Sequence, residues 1–319
     1  MTPEASIIIP TRNRAKLLEQ ALRSALNQDC SSFEIVVADD ASTDATPELL
    51  AVIDDPRVRA YRLTEKVSMQ CNIWMALSMA RGTYGVILSD DDLLEPEFLT
   101  HGLRVLRASK TPTFFISNYA HIDGDGNPMP DHGEVVGEGL YADPNFFLKR
   151  NMIPPCAALF PIEAIRSLGF VDNILFDWTW WNALCLSGLR VYVTDTRLAA
   201  YRIHSASVTG TTCESEWAQA VRDMYRLLLN RFGNNHELTR LYERAEARCQ
   251  YWKSREQEEL WSFLAYGFQH PSLEVLKLAL MRWMPLDTIN LMRHVLGRDT
   301  PRANQPSRRE EERHETVLS

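Results

Sequence analysis

Apolar residues enter this chain in short runs divided by polar stretches of regular length. Ser6-Ile-Ile-Ile-Pro10 is a β-branched run ended by proline, and in the RNRAKLLEQALRSALNQ that follows, Leu17, Leu18, Ala21, Leu22, Ala25 and Leu26 recur at the spacing of one helix face. The pattern predicts strand, loop, helix. It repeats: Phe33–Ala38 reads as a buried strand, Asp39–Asp44 as a polar loop, and Pro47–Ile53 as a helix with proline in its first turn. Val58–Arg62, Asn72–Ala80, Tyr84–Leu88 and Pro96–Ala108 continue as strand, helix, strand and helix. Strands alternating with helices of this length predict an α/β fold whose mostly parallel sheet is covered on both faces.

From about residue 111 the texture is mixed. Thr113–Ser117 predicts a strand, Ile122–Asn127 a hairpin turn, Met152–Phe160 a loop and short strand, Pro161–Leu168 a helix, and Val191–Thr194 an edge strand. Beyond about Thr211 the pattern is helical, with amphipathic stretches at Trp217–Phe232, Leu238–Tyr266 and Leu273–Trp283. The chain from Asp299 is polar and dense in charge, the composition of a disordered tail. The organisation expected is therefore an α/β unit over 1–210, divided near 110, a helical region over 211–298 and a tail over 299–319. No internal repeat is visible.

Composition narrows the function classes. With 319 residues and 45% hydrophobic content the chain can bury a large core, and its net charge of -8 argues against a nucleic-acid partner, which calls for a basic surplus. The start, MTPEASIIIPTRNR, carries charge where a secretion signal would be apolar, and no apolar run reaches the roughly 18 residues that a spanning helix needs. Cysteines 30, 71, 156, 185, 213 and 249 form no Cys-x-x-Cys pair, so reduced thiols and a cytoplasmic setting are expected rather than disulfides or structural zinc.

In a parallel sheet, ligands gather beyond the carboxyl ends of the strands. Three polar clusters fall there: Pro10–Asn13, Asp39–Asp44 and Ser89–Asp92. The last, inside VILSDDDLLEP, crowds three carboxylates behind an apolar run. Adjacent like charges favour a counter-cation, and Mg²⁺ or Mn²⁺ held by one or two carboxylates and completed by diphosphate oxygens supplies it. The Asp pair after the second strand suits a nucleotide's base and ribose. Together the loops describe a site for a metal and a nucleotide diphosphate. Asp123-Gly-Asp-Gly-Asn127 is too short for a calcium loop and lacks its later glutamate, so it is a turn.

The segments SIIIPTRNR, FEIVVADDASTD, NIWMALSMARGTYGVILSDDDLLEPEFL and YRIHSASVTG, in this order and at these separations, resemble the glycosyltransferase family 2 pattern on the GT-A fold over roughly residues 5–210. The resemblance implies that Pro10, Thr11, Arg12 and Asp40, with Asp39 as the alternate, bind the nucleotide. It maps the family's metal-binding Asp-x-Asp onto Ser89–Asp91, with Ser89 in place of the first Asp. Asp91 is thus the expected metal ligand, and Asp90 is expected to face the donor's ribose or sugar. Asn72 is placed near the donor. Phe176-Asp-Trp-Thr-Trp-Trp181 resembles the family's acidic element at a helix start, which makes Asp177 the expected general base and leaves Phe176 where a second acid usually stands. Trp178 and Trp181 are expected to stack on an acceptor sugar, with at least one of the tryptophans around them in the core. Arg202-Ile-His204 fits an Arg-x-His in which arginine faces the donor and histidine completes the metal shell or contacts the diphosphate.

The implied activity is inverting, metal-dependent transfer of a sugar from a nucleotide diphosphate to a hydroxyl of a glycan or lipid-linked acceptor, in surface polysaccharide synthesis. Two rivals stand beside it. One is a sugar nucleotidyltransferase, although Pro10–Asn13 lacks the glycine-rich turn that cradles a triphosphate. The other is a catalytically dead nucleotide-sugar-binding scaffold, which the missing acids at Ser89 and Phe176 keep open. Leu273–Leu296 mixes leucines with Lys277, Arg282 and Arg293: a surface for the inner membrane face, a homo-oligomer contact, or a helix packed on the catalytic unit.

Overall fold

A computed structural model of the protein describes residues 2–256, apart from 131–136, 152, 206 and 234, and scattered positions between 263 and 279. Its elements run β1 (Ala5–Thr11), α1 (Ala15–Leu26), β2 (Phe33–Asp39), α2 (Thr46–Ala51), β3 (Val58–Arg62), α3 (Met69–Met79), β4 (Tyr84–Ile87), β5 (Leu93–Leu94) and α4 (Phe98–Ala108). Then follow β6 (Thr113–Ile122), β7 (Gly139–Tyr141), a 3₁₀ turn (Pro155–Ala157), β8 (Ala158–Pro161), α5 (Ile162–Leu168), α6 (Phe176–Leu186), β9 (Arg190–Arg202), α7 (Val208–Thr211), α8 (Glu214–Phe232) and α9 (His236–Glu256).

The strands form one sheet in the order β3-β2-β1-β4-β8-β6-β9-β5, with β7 against β9. β3, β2, β1 and β4 are mutually parallel, as are β6 and β9; β8, β5 and β7 run antiparallel to their neighbours. β1 lies between β2 and β4, which is why its isoleucines are consecutive rather than alternating with polar residues. Ile7, Ile8 and Ile9 are all fully buried, each contributing about 1.5–3 kcal/mol. α1 covers the sheet through Leu18, Ala21, Leu22 and Ala25. The turn into β4 passes so close to β1 that a Cβ on Gly82 would lie 2.7 Å from the Ala5 carbonyl carbon, so only glycine fits.

The largest departure from expectation is β9. The sequence predicts an edge strand over Val191–Thr194, whereas the structure has thirteen residues, Arg190–Arg202, paired with β6, β5 and β7. The polar run Asp195-Thr-Arg hides the continuity. There the register jumps from Ser117↔Thr194 to Asn118↔Arg197 and then to Tyr119↔Ala199, a bulge that absorbs the extra residues and lets the strand resume as an apolar run. β9 thereby delivers Arg202 and His204 to the sheet edge where β4 ends.

α8 packs on α6 through Tyr225, whose ring meets Trp178 edge-on and whose hydroxyl donates to the Leu148 carbonyl. The core is continuous from the sheet to Met224, Leu228, Leu238 and Leu241 of these C-terminal helices. No helix among the described residues is long and apolar enough to cross a membrane. The amphipathic segment Leu273–Leu296 and the tail 299–319 lie almost wholly outside the described residues.

Candidate active site

Two loops at the carboxyl edge are fastened to one another. Asn13 N–H donates to Ser42 Oγ (2.8 Å), Thr43 N–H to Asn13 Oδ1 (2.7 Å) and Asp40 N–H to the Thr11 carbonyl (3.0 Å). Asn13 (φ 53°) and Ala41 (φ 49°) both adopt left-handed backbone. Asn accepts that conformation readily, but Ala41 does so at a cost of about 1 kcal/mol or more. The strain is held by the loop contacts around it.

The sequence leaves Asp39 and Asp40 as alternates, and the structure gives them different tasks. Asp39 is fully buried; its Oδ1 accepts Ser42 N–H (3.0 Å) and its Oδ2 lies 3.6 Å from Arg62 Nε, so it closes the turn after β2. Asp40 Oδ1 accepts Val67 N–H (2.7 Å), and its Oδ2 is 3.5 Å from Arg12, which also donates to the Asp40 carbonyl (2.6 Å). Arg12 keeps about a third of its side chain open to solvent beside Pro10. Asn72 donates through Nδ2 to the Ala38 carbonyl (2.9 Å), tying α3 to the end of β2, while its buried Oδ1 has no partner among the described residues. Asn72→Ala is expected to cost about 1–3 kcal/mol of unfolding free energy, measured by urea melts, because it orphans that carbonyl.

The three consecutive carboxylates diverge. Asp90 turns to the first loop, where its Oδ2 accepts Thr11 Oγ1–H (2.7 Å) and its Oδ1 accepts Arg14 Nη1–H (3.1 Å). Asp91 Oδ2 accepts the same Arg14 nitrogen (2.7 Å) and lies 3.0 Å from His204 Nε2. Asp92 points inward: its Oδ1 accepts Arg202 N–H (2.9 Å), its Oδ2 is buried, and the Cys156 thiol lies against the same carboxyl. Burial, reinforced by the Asp91 charge, pushes the Asp92 carboxyl well above the usual range, which disfavours its charged form. Burial likewise raises Asp90 to about 6, against the opposing pull of Arg14. Asp91 alone of the three lies between a guanidinium and an imidazole.

Asp177 lies in the first turn of α6, 7% exposed, its Oδ2 accepting Asn151 Nδ2–H (3.2 Å). Burial lifts its pKa from 3.8 to about 6, partly offset by backbone N–H bonds at the helix start. Asn151 stands four residues before Pro155, the start of the turn that carries Cys156 to Asp92. One short segment thus touches both acidic centres. Phe176, which stands where the family usually has a second acid, is buried edge-on against Trp180.

Three residues predicted to bind ligand are buried and committed to contacts within the protein. Arg202 is 1% exposed, and its guanidinium donates to the carbonyls of Asp91 (2.7 Å), Asp123 (3.1 Å) and Gly124 (3.0 Å) and to Gln20 Oε1 (2.9 Å), so it braces the Asp91 main chain. Trp181 is fully buried, stacked on Phe114 with centroids 6.0 Å apart. Trp178 has its indole N–H committed to the Phe147 carbonyl (2.6 Å) and its ring against Tyr225. Both rings belong to the buried core. Conversely, sequence reading passed over Arg14, although Thr11-Arg-Asn-Arg14 offers a second cation to a site rich in carboxylates. For Asn151, 26 residues from its partner, no local signal exists.

Among the described residues no group of three or more His, Cys, Asp or Glu side chains forms a closed metal cage. Asp91 Oδ2 with His204 Nε2 fits an ion that takes its other ligands from diphosphate and water, the usual manner of Mg²⁺ and Mn²⁺. The guanidinium lodged against Asp90 and Asp91 is a stand-in: this position already stabilises positive charge.

A parallel half-sheet crossed by antiparallel β8, with acidic loops at its carboxyl edge, is the architecture of GT-A glycosyltransferases. Solved structures share it: the Staphylococcus aureus TarS fragment 1–349 in complex with UDP-GlcNAc (TM-score 0.60, 16% identity, 88% of this chain and 79% of that one) and the mannosyltransferase PcManGT of Pyrobaculum calidifontis with GDP-Man and Mn²⁺ (TM-score 0.57, 19% identity, 92% and 85%). The chain matches the family Glycosyl transferase family 2 over residues 6–169, just over half its length, and belongs to that family. Its curated relatives include a Campylobacter jejuni GalNAc(5)-diNAcBac-PP-undecaprenol beta-1,3-glucosyltransferase, 35% identical over 44% of this chain and 45% of its own length. Another is a putative teichuronic acid biosynthesis glycosyltransferase of Bacillus subtilis, TuaG, 25% identical over 70% and 86%. The matches to the succinoglycan biosynthesis protein ExoO of Rhizobium meliloti and to the C. jejuni enzyme span 28% and 45% of those proteins. The family assignment sets aside the nucleotidyltransferase alternative.

Proposed function

We propose that the protein is a divalent-metal-dependent, inverting glycosyltransferase that moves a sugar from a nucleotide diphosphate to a hydroxyl of a glycan or lipid-linked acceptor in polysaccharide synthesis, working at the cytoplasmic side of a membrane. The observation that carries the reading is the convergence of Thr11, Arg14 and His204 on Asp90 and Asp91 at the carboxyl edge of a family 2 sheet. The catalytic unit is read as 1–210, its first 110 residues holding the donor and the rest facing the acceptor.

In this reading Pro10, Thr11, Arg12, Asp40 and Asn72 line the nucleotide side, and Asp91 with His204 holds the ion. A divalent ion bound there supplies positive charge against the diphosphate as it departs. Asp177 takes the proton of the acceptor hydroxyl; that oxygen forms its bond to the anomeric carbon as the bond to the diphosphate oxygen breaks, and the nucleoside diphosphate leaves with both electrons. One displacement inverts the anomeric centre. The Mn²⁺-bound mannosyltransferase structure supports the metal, and the undecaprenol-linked substrate in the C. jejuni enzyme's name supports a lipid-linked acceptor.

The test is a thermal-shift screen against UDP, GDP, dTDP and CMP, each with and without Mn²⁺. One nucleotide is expected to raise the melting temperature in a metal-dependent way that Asp91→Ala abolishes, since a ligand bound to the folded state stabilises it by mass action. A folded sample that none of them shifts would remove the assigned roles of Asp40 and Asp91.

A further inference from the structure

Asp91 Oδ2, the oxygen assigned to the ion, is engaged before any ion arrives. Arg14 Nη1 sits 2.7 Å from it and 3.1 Å from Asp90 Oδ1, so one guanidinium nitrogen bridges both acids. Such an arrangement and a divalent ion exclude each other. An ion on that oxygen would place two like charges within a few ångströms, a repulsion of several kcal/mol in a half-buried site. Arg14 also reaches solvent. It stands at the start of α1, gives that helix no side-chain cap, and its side chain is 30% open. Asp90 keeps its Thr11 hydroxyl whichever way Arg14 points.

We propose that Arg14 is the resident cation of the donor-free enzyme: it fills the metal position between Asp90 and Asp91, and yields it only when a nucleoside diphosphate arrives to receive the guanidinium. Resting on the metal assignment above, the proposal adds an order to binding. The free enzyme takes up metal poorly, and the diphosphate, by drawing Arg14 away, opens the ion's place and gains a charged partner. Metal and nucleotide then bind with positive coupling that runs through one side chain.

The test is Mn²⁺ binding to the full-length chain, followed by the electron paramagnetic resonance signal of free Mn²⁺, with MnCl₂ alone and with UDP or GDP at saturation. Wild type, Arg14→Gln and Arg14→Lys are compared. Without nucleotide, Arg14→Gln is expected to bind Mn²⁺ roughly tenfold or more tighter than wild type, because the competing charge is gone. Arg14→Lys, which retains a competing charge, is expected to stay close to wild type. With nucleotide, wild type is expected to reach the affinity of Arg14→Gln, while Arg14→Gln binds the nucleotide itself more weakly. Equal Mn²⁺ affinity of nucleotide-free wild type and Arg14→Gln, with binding intact, would overturn the proposal alone. Arg14→Lys binding as tightly as Arg14→Gln would overturn it as well. No Mn²⁺ binding in any protein or any arm would overturn the metal assignment and this proposal with it. Circular dichroism of both variants verifies that each comparison is made on folded protein.

Discussion

Asp177→Asn is expected to lower turnover about 100- to 10,000-fold while leaving the nucleotide-induced thermal shift intact, because the change removes a proton acceptor and keeps the shape that accepts Asn151 Nδ2–H. A scaffold that only binds nucleotide sugar would have no turnover to lose, so the same experiment separates enzyme from binder. The pH dependence carries more. A base must be ionised, and burial has raised Asp177 to about 6, so the transfer rate is expected to fall as pH drops below about 6 rather than near 4. Asp90 is raised to the same range, and Mn²⁺–nucleotide affinity measured across that window distinguishes them: protonating Asp90 weakens binding, protonating Asp177 does not. Stability gives an independent sign. The folded protein holds the Asp177 proton more tightly than the unfolded chain does, so the residue costs nothing below about pH 4, costs progressively more up to about pH 6, and its full cost stands above that. Asp177→Asn is therefore expected to match wild type at low pH and to be more stable, by up to about 2–3 kcal/mol, near pH 8. A residue present only to support the fold would lose stability on substitution.

What the sequence discloses follows from how each residue is buried. β1, β2 and β4 are readable because a parallel strand covered on both faces must be apolar throughout, and the loops after them are readable because three adjacent acids repel one another and call for a counter-cation. α6 defeats the same reasoning. Every residue from Phe176 to Cys185 is buried, so the helix has no polar face to mark which aromatic rings look outward, and Trp178 and Trp181 invite assignment to a ligand when they are packing. Charge misleads in the opposite way at Arg202. An arginine beside an acidic cluster looks like a ligand contact from sequence, because nothing in the sequence reveals that three backbone carbonyls wait for it across an interval of about 80 to 110 residues. Arg14 and Asn151 were missed for the complementary reason: their partners are decided by where β1, β4 and α6 come together.

Arg202 is where that difference is largest in consequence. If it contacted the donor, Arg202→Met would weaken nucleotide binding and leave the unliganded fold unchanged, since an exposed arginine contributes little to stability. The observed burial predicts the reverse order of effects. Methionine fills much of the aliphatic volume but leaves the Asp91, Asp123 and Gly124 carbonyls and Gln20 Oε1 without their donors, so unfolding free energy is expected to fall by about 3–5 kcal/mol, seen as an earlier urea midpoint in the absence of any ligand. Because the guanidinium fixes the Asp91 main chain from behind, loss of Mn²⁺-dependent nucleotide binding follows from the displacement of Asp91. Arg202→Lys is the sharper probe. It keeps the charge but has no planar fork to span β5's approach, the 123–127 turn and α1 together, so it is expected to recover only a minor part of the lost stability. Full recovery by lysine would mean that charge near a donor, and not a fixed set of acceptors, is what this position requires.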